Sequence, residues 1–171
     1  GLTGRPEGSD SVPRPLEPLP SLGRALFFST QLSGQKGVAC ITCHHPLAGG
    51  GDALSLPVGI AALDPEVVGP GRVVDLSRDG DPRAKTIGGP NVPRNSLSTF
   101  NSGFYRRALL HDGRISLLGE GPDGAPLFRT PDSSLRNLPD PNAMGDLLAV
   151  QSRFPVTGFE EMRGFGEFYE L

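Results

Sequence analysis

The sequence has no tryptophan, two cysteines, two methionines and three histidines. Only 36% of its residues are hydrophobic and 6% are aromatic. That is too little apolar material for a dense, self-sufficient core. It predicts that a cofactor, a metal or a partner fills the middle. Two cysteines are too few for a disulfide framework. No apolar run approaches the roughly 18 residues of a transmembrane helix. The opening GLTGRPEG has neither Met nor an apolar signal region, and reads as the start of an already processed chain. A net charge of −3 disfavours a broad nucleic-acid footprint.

Turn-formers are abundant instead. Gly (24) and Pro (18) make up about a quarter of the 171 residues, roughly twice the usual share. The length suits one domain. Residues 1–20 carry five prolines and read as an extended, Pro-rich tail. Residues 21–171 read as the domain, with a Gly/Pro-rich insertion at about 115–146. Ser21 predicts a cap for a helix over 22–28, with Leu22, Ala25 and Leu26 on one face. Residues 38–44 suit one or two helical turns, and residues 49–94 a long irregular loop held by something large. Asn142 is a cap for a helix running to Gln151. Thr157 and Glu160 fit a capping box opening a helix to about Tyr169. No strand alternation persists. The expected fold class is all-α, with long loops and little or no strand.

Cys40-Ile41-Thr42-Cys43-His44 is a C-x-x-C-H motif, the attachment signature of a c-type haem. Two thiols three apart on a helical turn can each add to one porphyrin vinyl group. The adjacent histidine then supplies the proximal nitrogen. Covalent attachment lets a loop-rich chain hold a large apolar disc. A thioredoxin-like pair wants a βαβ pattern, which is missing. A zinc site would crowd Cys40, Cys43, His44 and His45 around one ion. Buried inert thiols are the remaining bland reading. His45 adjoins His44 and cannot reach the opposite face of the ring. Neither Met144 nor Met162 sits in an obvious ligand loop, so an open or water-bound distal position is expected.

The residues resemble a known family. Leu22-Gly23-Arg24-Ala25-Leu26-Phe27-Phe28, then Leu32-Ser33-Gly34, then the C-x-x-C-H motif are similar to the start of the bacterial di-haem cytochrome c peroxidases, a superfamily that includes MauG-type enzymes. Arg94-Asn95-Ser96-Leu97-Ser98-Thr99 resembles the family's R-N-x-P-T segment. His111-Asp112-Gly113-Arg114 resembles its [WH]-D-G-R element, and Pro155-Val156 with Glu160-Glu161-Met162 its P-V-E-M segment.

The resemblance implies a cytochrome-c-like domain with one covalent haem c, equivalent to the N-terminal, peroxide-reacting half of those enzymes. It implies His44 as iron ligand, Glu161 as distal acid–base and Gln151, ten residues earlier, as its companion amide. It implies Asn95 as a contact to a possible calcium ion. His111 stands where a tryptophan often lies between the haems, either on an electron path or packed near a propionate. Asp112 and Arg114 would hold their turn by an ion pair. A second c-type haem is expected on a partner chain or a C-terminal half. A redox protein would serve as electron donor, or a protein as substrate. Residues 46–110 contain no histidine, so no distal histidine should block the iron, which is nearer the MauG-type branch. Hydrogen peroxide would be the oxidant. The competing functions are a mono-haem electron-transfer cytochrome c, with Met144 or Met162 on the iron, and a haem-bearing structural or sensor module. Thioether attachment places the chain in the periplasm or elsewhere outside the cytoplasm.

Overall fold

The computed structural model describes residues 17–75, 90–143 and 145–164. Helix α1 spans Pro18–Phe28. Its two prolines fall in the first turn, where a helix has no acceptor for their missing N–H groups. The helix therefore starts at Pro18, and Ser21 lies inside it, its N–H bonded to the Glu17 carbonyl at 3.0 Å. The expected cap at Ser21 is thus corrected. Residues 1–16 lie outside the described residues. No residue of α1 is buried.

Helix α2 is the single turn Cys40–Cys43. Val38 and Ala39 anchor its entry in the interior, and Thr42 Oγ1 accepts the Ala39 N–H at 3.0 Å. The described parts of 49–94 are irregular, as the prolines and glycines require, apart from isolated bridges of Gly51 with His45 and of Ala62 with Val74.

The all-α expectation is wrong. Strands β1 (Ala108–Leu109), β2 (Ile115–Glu120) and β3 (Pro126–Arg129) form an antiparallel sheet in the order β1-β2-β3. Pro122-Asp123-Gly124 makes the hairpin turn. Gly124 donates to the Gly121 carbonyl at 3.0 Å, Asp123 Oδ1 accepts the Ala125 N–H at 3.0 Å, and Gly124 takes φ +77°. The pattern was hidden because the register shifts between Leu117 and Gly119. An extra residue there breaks the period of two. The insertion at 115–146 is accordingly no loose loop. Ile115 and Phe128 from the sheet join Leu109, Leu147 and Val150 in one core cluster.

Helix α3 is shorter than expected, Leu147–Gln151. Its cap is Asp146, whose Oδ1 accepts the N–H groups of Leu148 and Ala149, each at 2.9 Å. Asn142 instead gives its N–H to Asp140 Oδ1. The segment opened by Thr157 is a 3-10 turn (Pro155–Thr157) followed by one π-helical turn (Phe159–Arg163). The Thr157 hydroxyl donates to the Phe154 carbonyl, so Gly158 takes the cap position. Residues 165–171 lie outside the described residues. A second core cluster joins Val38, Ile60 and Met162, with Cys40 and Val156 against it. No helix among the described residues is long and apolar enough to cross a membrane.

Candidate haem site

The second core cluster brings α2 and the π turn together. His44 follows α2 and is held from the side. Its Nδ1 lies 2.9 Å from the Leu97 carbonyl oxygen and 3.2 Å from that of Gly50. A carbonyl accepts only, so Nδ1 carries the proton and Nε2 is left as the free lone pair. A metal-binding histidine is oriented and made more basic in this way. The Leu97 carbonyl is fixed in turn. Ser98 Oγ donates to the Gly49 carbonyl at 2.6 Å, and the Thr99 N–H donates to the Gly50 carbonyl at 3.2 Å. The segment 95–99 thus holds the loop behind the histidine. His45 is turned to local work, its Nδ1 accepting the Leu47 N–H at 3.2 Å.

Both thiols are free, and both are held as thiols. Burial raises the pKa of Cys40. Cys43 is pushed up to about 11, first by burial and then by the charge of Asp52, against opposing pulls from Arg72 and a Ser96 hydrogen bond. A redox C-x-x-C or a zinc-binding pair has its thiols pushed the other way.

Glu161 stands in the π turn, within electrostatic reach of both His44 and Cys43. Burial raises its pKa and the nearby histidine opposes the rise. Its carboxylate folds back over Gly158, so close that a β-carbon there would stand 2.9 Å from Oε2. Gln151, at the end of α3, has a buried Oε1 with no hydrogen-bond partner. Two residues on, Arg153 is pinned by an ion pair to buried Asp140 at 3.2 Å, which fixes the end of α3.

The turn carrying Glu161 is gripped by two glycines. A β-carbon on Gly59 would overlap the Glu160 carbonyl, and one on Gly34 would overlap that of Arg163. Ile60 donates its N–H to the Glu160 carbonyl at 3.1 Å, and Gly34 donates to that of Met162 at 3.0 Å. Asn91 braces the first contact from behind: Oδ1 accepts the Gly59 N–H at 2.9 Å and Nδ2 donates to the Ile60 carbonyl at 2.8 Å. Arg72, only 3% exposed, spends its guanidinium on the carbonyls of Val58, Pro65, Val67, Gly37 and Gly59. Sequence reasoning missed Arg72 and Asn91. They sit among prolines and glycines, where no periodicity marks a buried side chain.

The other expected residues make no contact with these groups that carries a role for them, except Met162, which packs in the same core cluster as Cys40. Asn95 and His111 are both exposed. Among the described residues no group of three or more His, Cys, Asp or Glu could hold a metal ion. Asp112 and Arg114 do form their ion pair, at 3.2 Å, and Asp112 also takes Arg94 at 2.7 Å. Met162 is 3% exposed and packed with Val38 and Ile60. Met144 lies outside the described residues.

Two free, buried thiols on one turn and a following histidine with Nδ1 tied to backbone make this turn the candidate haem-attachment site. The chain belongs to the di-haem cytochrome c peroxidase family, whose model matches residues 18–168. It is 47% identical over 67 residues to the methylamine utilization protein MauG of Methylorubrum extorquens, a match covering 36% of this chain and 19% of that protein. With MauG of Methylophilus methylotrophus it shares 39% over 88 residues, covering 46% and 26%. With the cytochrome-c peroxidase IdrP2 of Denitromonas iodatirespirans it shares 44% over 43 residues, covering 25% and 12%. The matches span about a quarter or less of those relatives' length. No solved structure matches the chain.

Proposed function

We propose that this chain is the peroxide-reacting haem half of a di-haem oxidoreductase. The observation that carries the reading is the juxtaposition of the turn bearing Glu161 with the Cys40-x-x-Cys43-His44 turn, Met162 packing in one core cluster with Cys40 against it, and Glu161 lying within electrostatic reach of His44. The residues fit a haem c: Cys40 and Cys43 would form the thioethers and His44 Nε2 would take the iron. When bound, such a haem supplies a redox-active iron with which hydrogen peroxide can react.

The chain's own residues handle the protons. The Glu161 carboxylate takes the proton from the near oxygen of peroxide and returns it to the far oxygen, which leaves as water. A buried carboxyl with a raised pKa suits both halves of that transfer. Gln151 orients the peroxide by hydrogen bonding. Overall, one peroxide, two electrons and two protons give two waters. The electrons come from a redox-protein donor or, in a MauG-like role, from a side chain of a protein substrate. The second c-type haem lies in the remainder of the di-haem unit, on a partner chain or a C-terminal half. Thioether attachment would put the assembly in the periplasm or elsewhere outside the cytoplasm.

The electron-transfer alternative needs a strong second axial ligand. The packing of Met162 between Val38 and Ile60 tells against that residue as the ligand. The test is the ferric spectrum together with stopped-flow reaction with peroxide. High-spin iron is expected, and Glu161→Gln should slow the reaction by about 10²–10⁴-fold, the worth of acid–base help. A methionine–iron charge-transfer band, or an unchanged rate in Glu161→Gln, would overturn the reading.

A further inference from the structure

Away from the haem site, a cavity of about 370 Å³ opens between the Asp112–Arg114 turn, the end of β3 and the 3-10 turn Ser133–Leu135. Its lining includes Arg114, Arg129, Arg136 and Asn137 with Asp112 and Asp132. None of His44, Gln151 or Glu161 lines it. Much of it is built from the segment that the family resemblance marks as an insertion.

Its two carboxylates are already committed. Asp112 Oδ2 takes two guanidiniums, Arg94 at 2.7 Å and Arg114 at 3.2 Å. Asp132 Oδ1 accepts the Ser134 N–H at 2.9 Å and the Ser134 hydroxyl at 2.6 Å. Two of the three cations, Arg129 and Arg136, are not matched by a carboxylate in the same way. Arg129 donates Nη2 to the Gly113 carbonyl at 2.5 Å, but its buried Nε has no hydrogen-bond partner. The exposed Arg136 side chain takes part in none of the ion pairs formed by the described arginines Arg94, Arg114 and Arg153. Arg136 and Asn137 also hold consecutive left-handed backbones, φ +48° and +68°. Non-glycine residues adopt that conformation at a cost, and such strain gathers at binding sites.

We propose that this cavity binds a small oxyanion, a carboxylate or a phosphate, between Arg129 and Arg136. The volume lies within the roughly 300–1,000 Å³ of small-ligand sites. A guanidinium fork pairs with either oxyanion through two parallel N–H···O bonds. Three guanidiniums against two committed carboxylates leave an excess of positive charge in a chain whose net charge is −3. The inference is independent of the haem chemistry.

The test is a titration of the ¹⁵N-labelled haem-loaded protein, following the arginine Nε–H resonances. Inorganic phosphate and succinate are the two probes, with sodium chloride at equal ionic strength as control. A saturable shift of the Arg129 Nε–H is expected with at least one probe, and which probe acts identifies the oxyanion. Arg136→Ala, a change at an exposed turn, should weaken binding on the order of 10-fold or more, the worth of one charge-assisted hydrogen bond. Arg24→Ala, on the exposed face of α1, should leave it unchanged. No saturable shift with either probe, an equal shift with sodium chloride, or unaltered binding in Arg136→Ala would each overturn the proposal.

Discussion

The backbone N–H of Ile60 donates to the carbonyl of Glu160 at 3.1 Å, and through that bond an irregular loop sets the height of the neighbouring Glu161. Gly59 makes the contact close enough, and Asn91 holds Gly59 and Ile60 in line. Asn91→Ala should therefore slow reaction with peroxide without touching the haem, by up to about 10²-fold if the carboxylate moves by an ångström. Hydrogen exchange of the Ile60 amide should speed up in parallel. Native exchange and a native rate together would show that the brace is dispensable.

The carboxyl of Glu161 makes stability depend on pH. Burial raises its pKa above the unfolded value of about 4.3. The protonated form is thus the one that folding favours. That contribution is present below the unfolded pKa and is lost as pH rises through the folded pKa. At pH 7 the buried charge opposes folding, so Glu161→Gln should melt higher than the parent chain. Near pH 4 and below, the difference should close. Thermal melts across that range check the sign, and a lower melting temperature at pH 7 would refute it.

Arg72 should be the costliest single loss in the loop region. Its guanidinium is bonded to five carbonyls. At about 1 kcal/mol net per bond, Arg72→Ala should destabilise by several kcal/mol. Arg72→Lys has three donors on a point charge and should recover only part of that. Urea denaturation of the haem-loaded protein gives the comparison.

The thiols distinguish haem attachment from redox exchange before any haem is bound. With a pKa of about 11, Cys43 has little thiolate at pH 8. Alkylation by iodoacetamide in the haem-free chain should run about 10²-fold slower than for an ordinary cysteine of pKa about 8.5. A reaction faster than that of an ordinary cysteine would point to a redox pair.

The candidate site was legible in the sequence where chemistry asks for a fixed spacing, since two thioethers and an iron-binding imidazole on one porphyrin call for Cys40, Cys43 and His44 close together in the chain. Gln151 and Glu161 were proposed only through resemblance, since neither type nor spacing alone singles out a glutamine or a glutamate. The sheet was not legible, because the bulge between Leu117 and Gly119 breaks the alternation on which a strand is recognised. The starts of α1 and α3 were misplaced for a related reason: prolines can begin a helix, and Asp146 competes with Asn142 as a cap.

The sequence by itself determined where a C-x-x-C-H motif stands, at residues 40–44, that the chain is rich in loops, and which family it resembles. Those are local or compositional facts, and no folding is needed to express them. Only the tertiary structure decided that Leu97, 53 residues on, orients His44, and that Arg72 and Asn91 build the frame under Glu161. These are backbone hydrogen bonds between distant loops, and a backbone carbonyl looks the same at every position in a sequence until the fold brings a donor to it.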